Sequence, residues 1–215
     1  MPTPTTPPWD HFYNDIKIAI PGVTDAVMQQ VAYQVIKDFC DKTNIWTEEV
    51  PIPVEPNLYV YPFTVADKGT PNRLILLYDP QLPGPDPRWV ASATMMQVPS
   101  TITIGYAPSE ATTWNAVVAK TPVDPPDASH FPDLGAGGIW IVDKYRDGLT
   151  FGVLGRLMAL PAKPFSNPQL AKMNYQNYIA ERSKARGDVI KANVFGGQRW
   201  IFPQGWATVQ RGGWT

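Results

Sequence analysis

Three prolines in eight residues most constrain this chain: Pro161, Pro164 and Pro168 cut the stretch "LPAKPFSNPQLAKMNYQNYIAERSKARG", residues 160–187, out of any single long helix. Proline removes a backbone donor and pushes its predecessor toward extended geometry. A helix before Pro161 must therefore stop, and a second must start afresh. Asn167 is the expected N-cap of that second helix, with Pro168 at its first position and Lys184, Arg186 and Gly187 at its end. The predicted helix covers 168–186. Its apolar stripe, Leu170 or Ala171, Tyr175, and Tyr178 or Ile179, is narrow beside Asn174, Gln176 and Asn177. An ordinary surface helix looks like this; so does one docked on another chain, where tyrosine and arginine are enriched, and Tyr175, Tyr178 and Arg182 are the candidate contacts.

Before Pro161, helical spacing runs through Val142, Tyr145, Leu149, Val153, Leu157 and Leu160. Gly148, Gly152 and Gly155 weaken that helix by about 1 kcal/mol each relative to alanine, so they mark close approach of another backbone. Near the other end, Thr24 is the expected N-cap of a helix from Asp25 to Lys42 with Asp25 in its first turn. Its apolar residues Val27, Met28, Val31, Ala32, Val35, Ile36, Phe39 and Cys40 recur every four positions. Against 3.6 residues per turn, that band slants and widens, so it meets more than one neighbour. Residues 1–8, "MPTPTTPP", cannot hold a helix and read as an arm.

From Glu48 onward the texture is β: "LYVYPFTV", "NRLILLYDPQLPG" and "WVASATMMQVPSTITIGYAPSE" are β-branched and aromatic runs punctuated by proline and glycine. "STITIGY" alternates hydroxyl and isoleucine, as a strand with one wet and one dry face does. "TPVDPPDASHFPDLGAGG", 121–138, reads as a loop. With 24 prolines and eight tryptophans the 215-residue chain is no simple helical bundle and no disordered polymer; the fold class is α+β.

A formal net charge of −1 supplies no field for nucleic acid or anionic membrane. No run approaches the roughly 20 apolar residues that span a bilayer, and "MPTPTTPPWDHFYND" lacks a signal core. The single cysteine, Cys40, excludes an internal disulfide and fits a reducing compartment. Two histidines, His11 and His130, are too few for a three-histidine zinc site. "DLGAGG" and "FGG" lack phosphate-loop spacing. Asp79 with Asp86, or Asp124 with Asp127, read as solvated loop charge. The expectation is no cofactor, no metal and no enzyme. The weighed rivals are a small hydrolase using His130 with Asp127 or Asp133, and a carbohydrate-binding or host-recognition β module stacking sugars on Trp89, Trp114 and Trp140.

The last stretch, "VFGGQRWIFPQGWATVQRGGWT", 194–215, has no acidic residue, two arginines (Arg199 and Arg211) and the rings Phe195, Trp200, Phe202, Trp206 and Trp214. Burying five rings contributes about 10–15 kcal/mol, whereas ordering some 20 residues costs about 20–40 kcal/mol of backbone entropy. Ring burial alone does not order it; a partner's groove and repetition around an assembly would close the gap.

Two stretches resemble a known family. "IPGVTDAVMQQVAYQVIKDFCDKTNIW", 20–46, and "IVDKYRDGLTFGVLGRLMALPAKPFSNPQLAKMNYQNYIAERSKAR", 141–186, are similar to the head–tail adaptor, or head-completion, proteins of tailed bacteriophages. Gly155, Arg156, Leu157, Pro161, Lys163, Pro164, Asn167 and Pro168 match the family pattern; Ala162 and Phe165 depart from its usual glycine and tryptophan. The resemblance implies a bundle of three to four α-helices with an inserted antiparallel β domain and an extended C-terminal tail: arm and first helix 1–47, β insert 48–140, remaining helices 141–193, tail 194–215. It further implies a virion structural protein made in the host cytoplasm and placed in the phage neck. There a ring, twelve-fold by resemblance, would join the portal to a tail nozzle or tail tube and let DNA pass. The tail with Phe195, Arg199, Trp200, Ile201, Phe202, Trp206 and Trp214 would contact the portal together with Tyr175, Tyr178 and Arg182, and the β domain would face the tail component.

Overall fold

The computed structural model describes residues 8–65, 69–80, 88–89, 93–96, 100–105, 108–123 and 134–192. These form a mixed α+β structure of helices and two antiparallel sheets. The arm at 1–7 and the aromatic tail lie outside the described residues.

Helix α1, Pro8–Ala19, is the element the sequence reading missed. Pro8 occupies a helix start, where its missing donor costs nothing. Trp9, Phe12, Tyr13, Ile16 and Ile20 then recur at helical spacing, with Phe12 and Ile16 buried. The adjoining proline arm obscured a pattern about three turns long.

Helix α2, Asp25–Thr43, matches its predicted span to within a residue. Thr24 has the extended backbone of an N-cap but its side chain makes no capping bond. At the other end Asn44, at φ 54°, turns left-handed and donates its N–H to the Cys40 carbonyl at 2.9 Å. The slanting apolar band meets three neighbours, the helices at Arg146–Met158 and Pro168–Ala192 and the strand at Thr112–Pro122.

The sheets comprise β1 Thr47–Val54, β2 Val60–Pro62, β3 Gly69–Asp79, β4 Arg88–Trp89, β5 Ala93–Met96, β6 Thr101–Ile104 and β7 Thr112–Pro122, in orders β1-β7-β3-β4 and β2-β6-β5. In β6, Ile102 and Ile104 are buried and Thr101 and Thr103 half-buried, as the alternation predicted. The β3–β7 register shifts between Pro71 and Arg73, beside a proline that cannot donate to the ladder.

Strand β7 consumes the start of the expected 121–138 loop, and Gly135–Gly138 forms a helical turn, α3; residues 124–133 lie outside the described set. The single helix expected over 142–160 is two, α4 Trp140–Lys144 and α5 Arg146–Met158, because Tyr145 at φ −112° and ψ 24° leaves helical geometry. Helix α6, Pro168–Ala192, begins as predicted: the Leu170 N–H reaches Asn167 Oδ1 at 3.1 Å. It does not end at Gly187. The glycine stays helical, and Val189, packed on the helical core, extends the helix past it.

Two apolar cores result. One joins residues of α1, α2, α4, α5 and α6 with Trp46 and Leu134; the other joins Val50, Ile52, Val54, Tyr61, Phe63, Leu77, Ile102, Ile104, Trp114, Ala116 and Val118 of the sheets. Lys120, 3% exposed, ties the α2–β1 connection to β7. Its N–H donates to the Trp46 carbonyl at 2.7 Å, its ammonium lies 2.5 Å from Glu48 Oε2, and the same ammonium sits 4.6 Å from the Trp46 ring centre.

Candidate interaction surface

The glycines of α5 mark the close approach that their cost implied, and the approaching chain is mainly α6. A Cβ on Gly155 would stand 3.0 Å from the Tyr175 backbone nitrogen and 3.3 Å from the Ala171 carbonyl oxygen. One on Gly148 would stand 2.9 Å from Glu181 Cβ, and one on Gly152 2.6 Å from Val35 Cγ1 and 2.8 Å from Tyr178 Cδ2. Small residues on one helix let the polar helix lie nearly on its backbone. This is how α6 is buried with so few aliphatic side chains: Ala171, Asn174, Tyr178 and Ala185 form its inner face.

Two of the expected partner contacts are therefore internal. Tyr178 is fully buried, and its hydroxyl donates to Asp38 Oδ2 at 2.7 Å. Arg182 Nη1 donates to the same carboxylate oxygen at 2.8 Å, and its guanidinium carbon lies 5.4 Å from the Tyr178 ring centre. Burial, reinforced by the hydrogen bond to Asp38, pushes the Tyr178 hydroxyl far above its usual range. Burial works against the charge of Arg182, but the bond and charge of Asp38 outweigh it and leave the pKa raised. Tyr178 and Arg182 lock α6 to α2. The sequence stripe was correctly spaced; which of its members turned inward depended on the α5 glycines.

Tyr175 is the member that stays outside, 48% exposed. It borders a shallow groove with Gly155, Arg156, Ala159, Pro168 and Lys172, and Leu170 and Met173 are exposed elsewhere on the same helix. Phe195, Arg199, Trp200, Ile201, Phe202, Trp206 and Trp214 lie outside the described residues.

The second sheet offers a different surface. Cross-strand rows place Val60, Thr103 and Thr94 in one line and Pro62, Thr101 and Met96 in the next, an uncharged outward face. Leu58 and Tyr59, both exposed, adjoin it through the start of β2.

The chemical candidates separate in space. Cys40 is fully buried, and burial pushes its thiol up to about 12, with the charge of Asp41 adding to the shift. His11 is exposed on α1, while His130, Asp86, Asp124, Asp127 and Asp133 lie outside the described residues. Among the described residues no cluster of three or more metal-ligating side chains occurs. Trp114, one of the three rings considered for sugar stacking, is 3% exposed inside the sheet core, so it offers no platform; Trp140 is exposed and Trp89 belongs to β4. A cleft of about 640 Å³ between α2 and the ends of β3 and β7 is lined by Lys37, Asp38, Asp41, Thr70, Asn72 and Thr121 together with Pro71, Pro122 and Val123. Asn72 Nδ2 donates to Asp41 there at 2.9 Å. The Lys42 hydrogen bond, helped by that of Asn72 against partial burial, holds Asp41 below the usual carboxylate range.

No helix of the described residues is long and apolar enough to cross a membrane. No protein-family model matches the chain, and no curated protein sequence matches it.

Proposed function

We propose that this chain is a head-to-tail adaptor of a tailed-phage virion, a structural subunit that assembles into a ring, twelve-fold by resemblance, between the portal and the tail nozzle or tube. The helical elements on either side of the strands share one core and the strands share another, which supports a helical bundle with an inserted antiparallel β domain. In this reading α6 and the aromatic tail meet the portal, Tyr175 and Phe195, Trp200, Ile201, Phe202, Trp206 and Trp214 being the contact rings and aliphatics, with Arg199 among them. The outward face of β2, β5 and β6 meets the component below. DNA passes a wall of near-neutral charge without being gripped.

The observation that carries the reading is α6. Its inner face is satisfied by alanine, asparagine and tyrosine against a glycine-lined helix, while Leu170, Met173, Tyr175 and Ile190 stay exposed along 25 residues. A closed ring requires unlike patches on a subunit's two flanks. Helix α1, with Ile18 at 81% exposure, packs on α4 and α5, and α6 packs on α5 and α2, which supplies two such flanks.

The test is particle assembly with residues 195–215 deleted, together with the native mass of the protein with and without its portal. The expected result is heads that fail to complete and a subunit that no longer joins the portal. Filled heads that complete normally, with the truncated subunit still bound, would refute the role of the tail.

A further inference from the structure

Strand β7 carries one row of inward side chains from the sheet core to the helical core. Trp114, Ala116 and Val118 belong to the sheet core, and with a period of two the next member of the row is Lys120, buried at the strand's far end. Its ammonium lies 2.5 Å from Glu48 Oε2 on β1 and 4.6 Å from the centre of the Trp46 ring, and that ring belongs to the helical core. At this point the two cores meet across a cation. Two glycines make room for it. A Cβ on Gly69 of β3 would stand 2.9 Å from Lys120 Cδ, and one on Gly138 of α3 would stand 2.9 Å from Trp46 Cε2, so the lysine stem lies against one bare backbone and the indole against another. Trp46 is also the residue before β1 begins, and its carbonyl accepts the Lys120 N–H at 2.7 Å. The start of β1, the end of β7 and the turn α3 all converge on this one pair.

Opening either core parts the two residues: the ring goes with the helices, while Lys120 and Glu48 go with the sheet. A contact that is lost whichever core opens first is a coupling energy, and it is felt equally from both sides. A desolvated cation over a tryptophan face is among the stronger contacts of this kind. Replacing a buried ion pair by a well-packed apolar residue is commonly neutral or stabilising, so total stability is not what this lysine is suited to supply. We propose that Lys120 is the clasp that couples the two cores. They open as one unit, and a partner bound to the sheets also tightens the helices. The coupling belongs to the free chain and is independent of ring assembly.

Amide hydrogen exchange on the full-length chain tests it, with Ile102→Val as the perturbation. Ile102 is fully buried in β6 and belongs to the sheet core. Its truncation should speed the slowest amides of residues 114–118 about fivefold, and the slowest amides of 149–157 in α5 by the same factor, because neither core opens alone. In a Lys120→Ala background the same truncation should still speed the sheet amides about fivefold but change those of α5 by less than about twofold. Lys120→Met keeps the stem and removes the charge; it is the second variant should the alanine chain fail to fold, and it should shrink the α5 response in the same direction. A full α5 response in either variant would overturn the proposal. So would the absence of any α5 response to Ile102→Val in the native background, since the cores would then open independently with Lys120 in place.

Discussion

Gly152→Ala is the sharpest probe of how α6 is buried. In an exposed helix this change gains about 1 kcal/mol of helix propensity. At this site the new methyl would meet Val35 Cγ1 at 2.6 Å and Tyr178 Cδ2 at 2.8 Å, both closer than real Cβ contacts allow. Neither neighbour yields easily: Val35 is fully buried and β-branched, and Tyr178 is tethered through its hydroxyl to Asp38. Overpacking of a filled core costs typically about 1–3 kcal/mol after relaxation. That figure is a net mutational effect, so we expect Gly152→Ala to destabilise by about 2 kcal/mol, near 4–8 °C in melting temperature for a chain of this length. Gly187→Ala is the matched control, since its Cβ meets nothing within 4 Å and the residue is helical. It should stabilise by up to about 1 kcal/mol. Thermal and urea unfolding followed by far-UV circular dichroism measure both. If Gly152→Ala matches Gly187→Ala in sign and size, α6 does not lie on α5 as described, and the account of its polar inner face is wrong.

Two further outcomes follow from the same interface. Tyr178→Phe removes the hydroxyl that donates to Asp38 while Arg182 remains on that carboxylate; it should cost about 1–2 kcal/mol in urea unfolding, and a loss under about 0.3 kcal/mol would mean the hydroxyl is not engaged. Cys40 should resist thiol reagents at pH 8 until the chain unfolds. Its folded pKa lies above the unfolded value of 9.0, so the stability it contributes is complete below pH 9 and falls as pH rises toward about 12; labelling of the native protein at pH 8 at the rate of a free thiol would contradict its burial.

Much of the local structure is legible along the chain because it depends on backbone chemistry within a few residues. Asn167 and Pro168 announce the start of α6, and the Asn167 side chain does cap it. The four-residue repeat of α2 predicts a band wide enough for several neighbours, and the Thr–Ile alternation of β6 predicts its dry face. The glycines of α5 predict a close neighbour without saying which one. Local signals fail where tertiary contacts outweigh them. Gly187 ends no helix because Val189 packs beyond it, and the loop expected from 121 loses its first two residues to β7 pairing with β3.

The candidate surface divides along the same line. Sequence alone determined the supply of polar, tyrosine-rich helix, the lone thiol on an apolar band and the ring-bearing stretch after α6, because composition and helical phase are properties of neighbouring residues. Only the tertiary structure decided that Tyr178 and Arg182 turn inward to Asp38 while Tyr175 stays outside. A helix turns 100° per residue, so Tyr175 and Tyr178 lie only about 60° apart around it, one at the edge of the buried stripe and the other within it. Which side faces in is set by where a second backbone can come closest, and that is the glycine edge of α5, more than a dozen residues away in sequence.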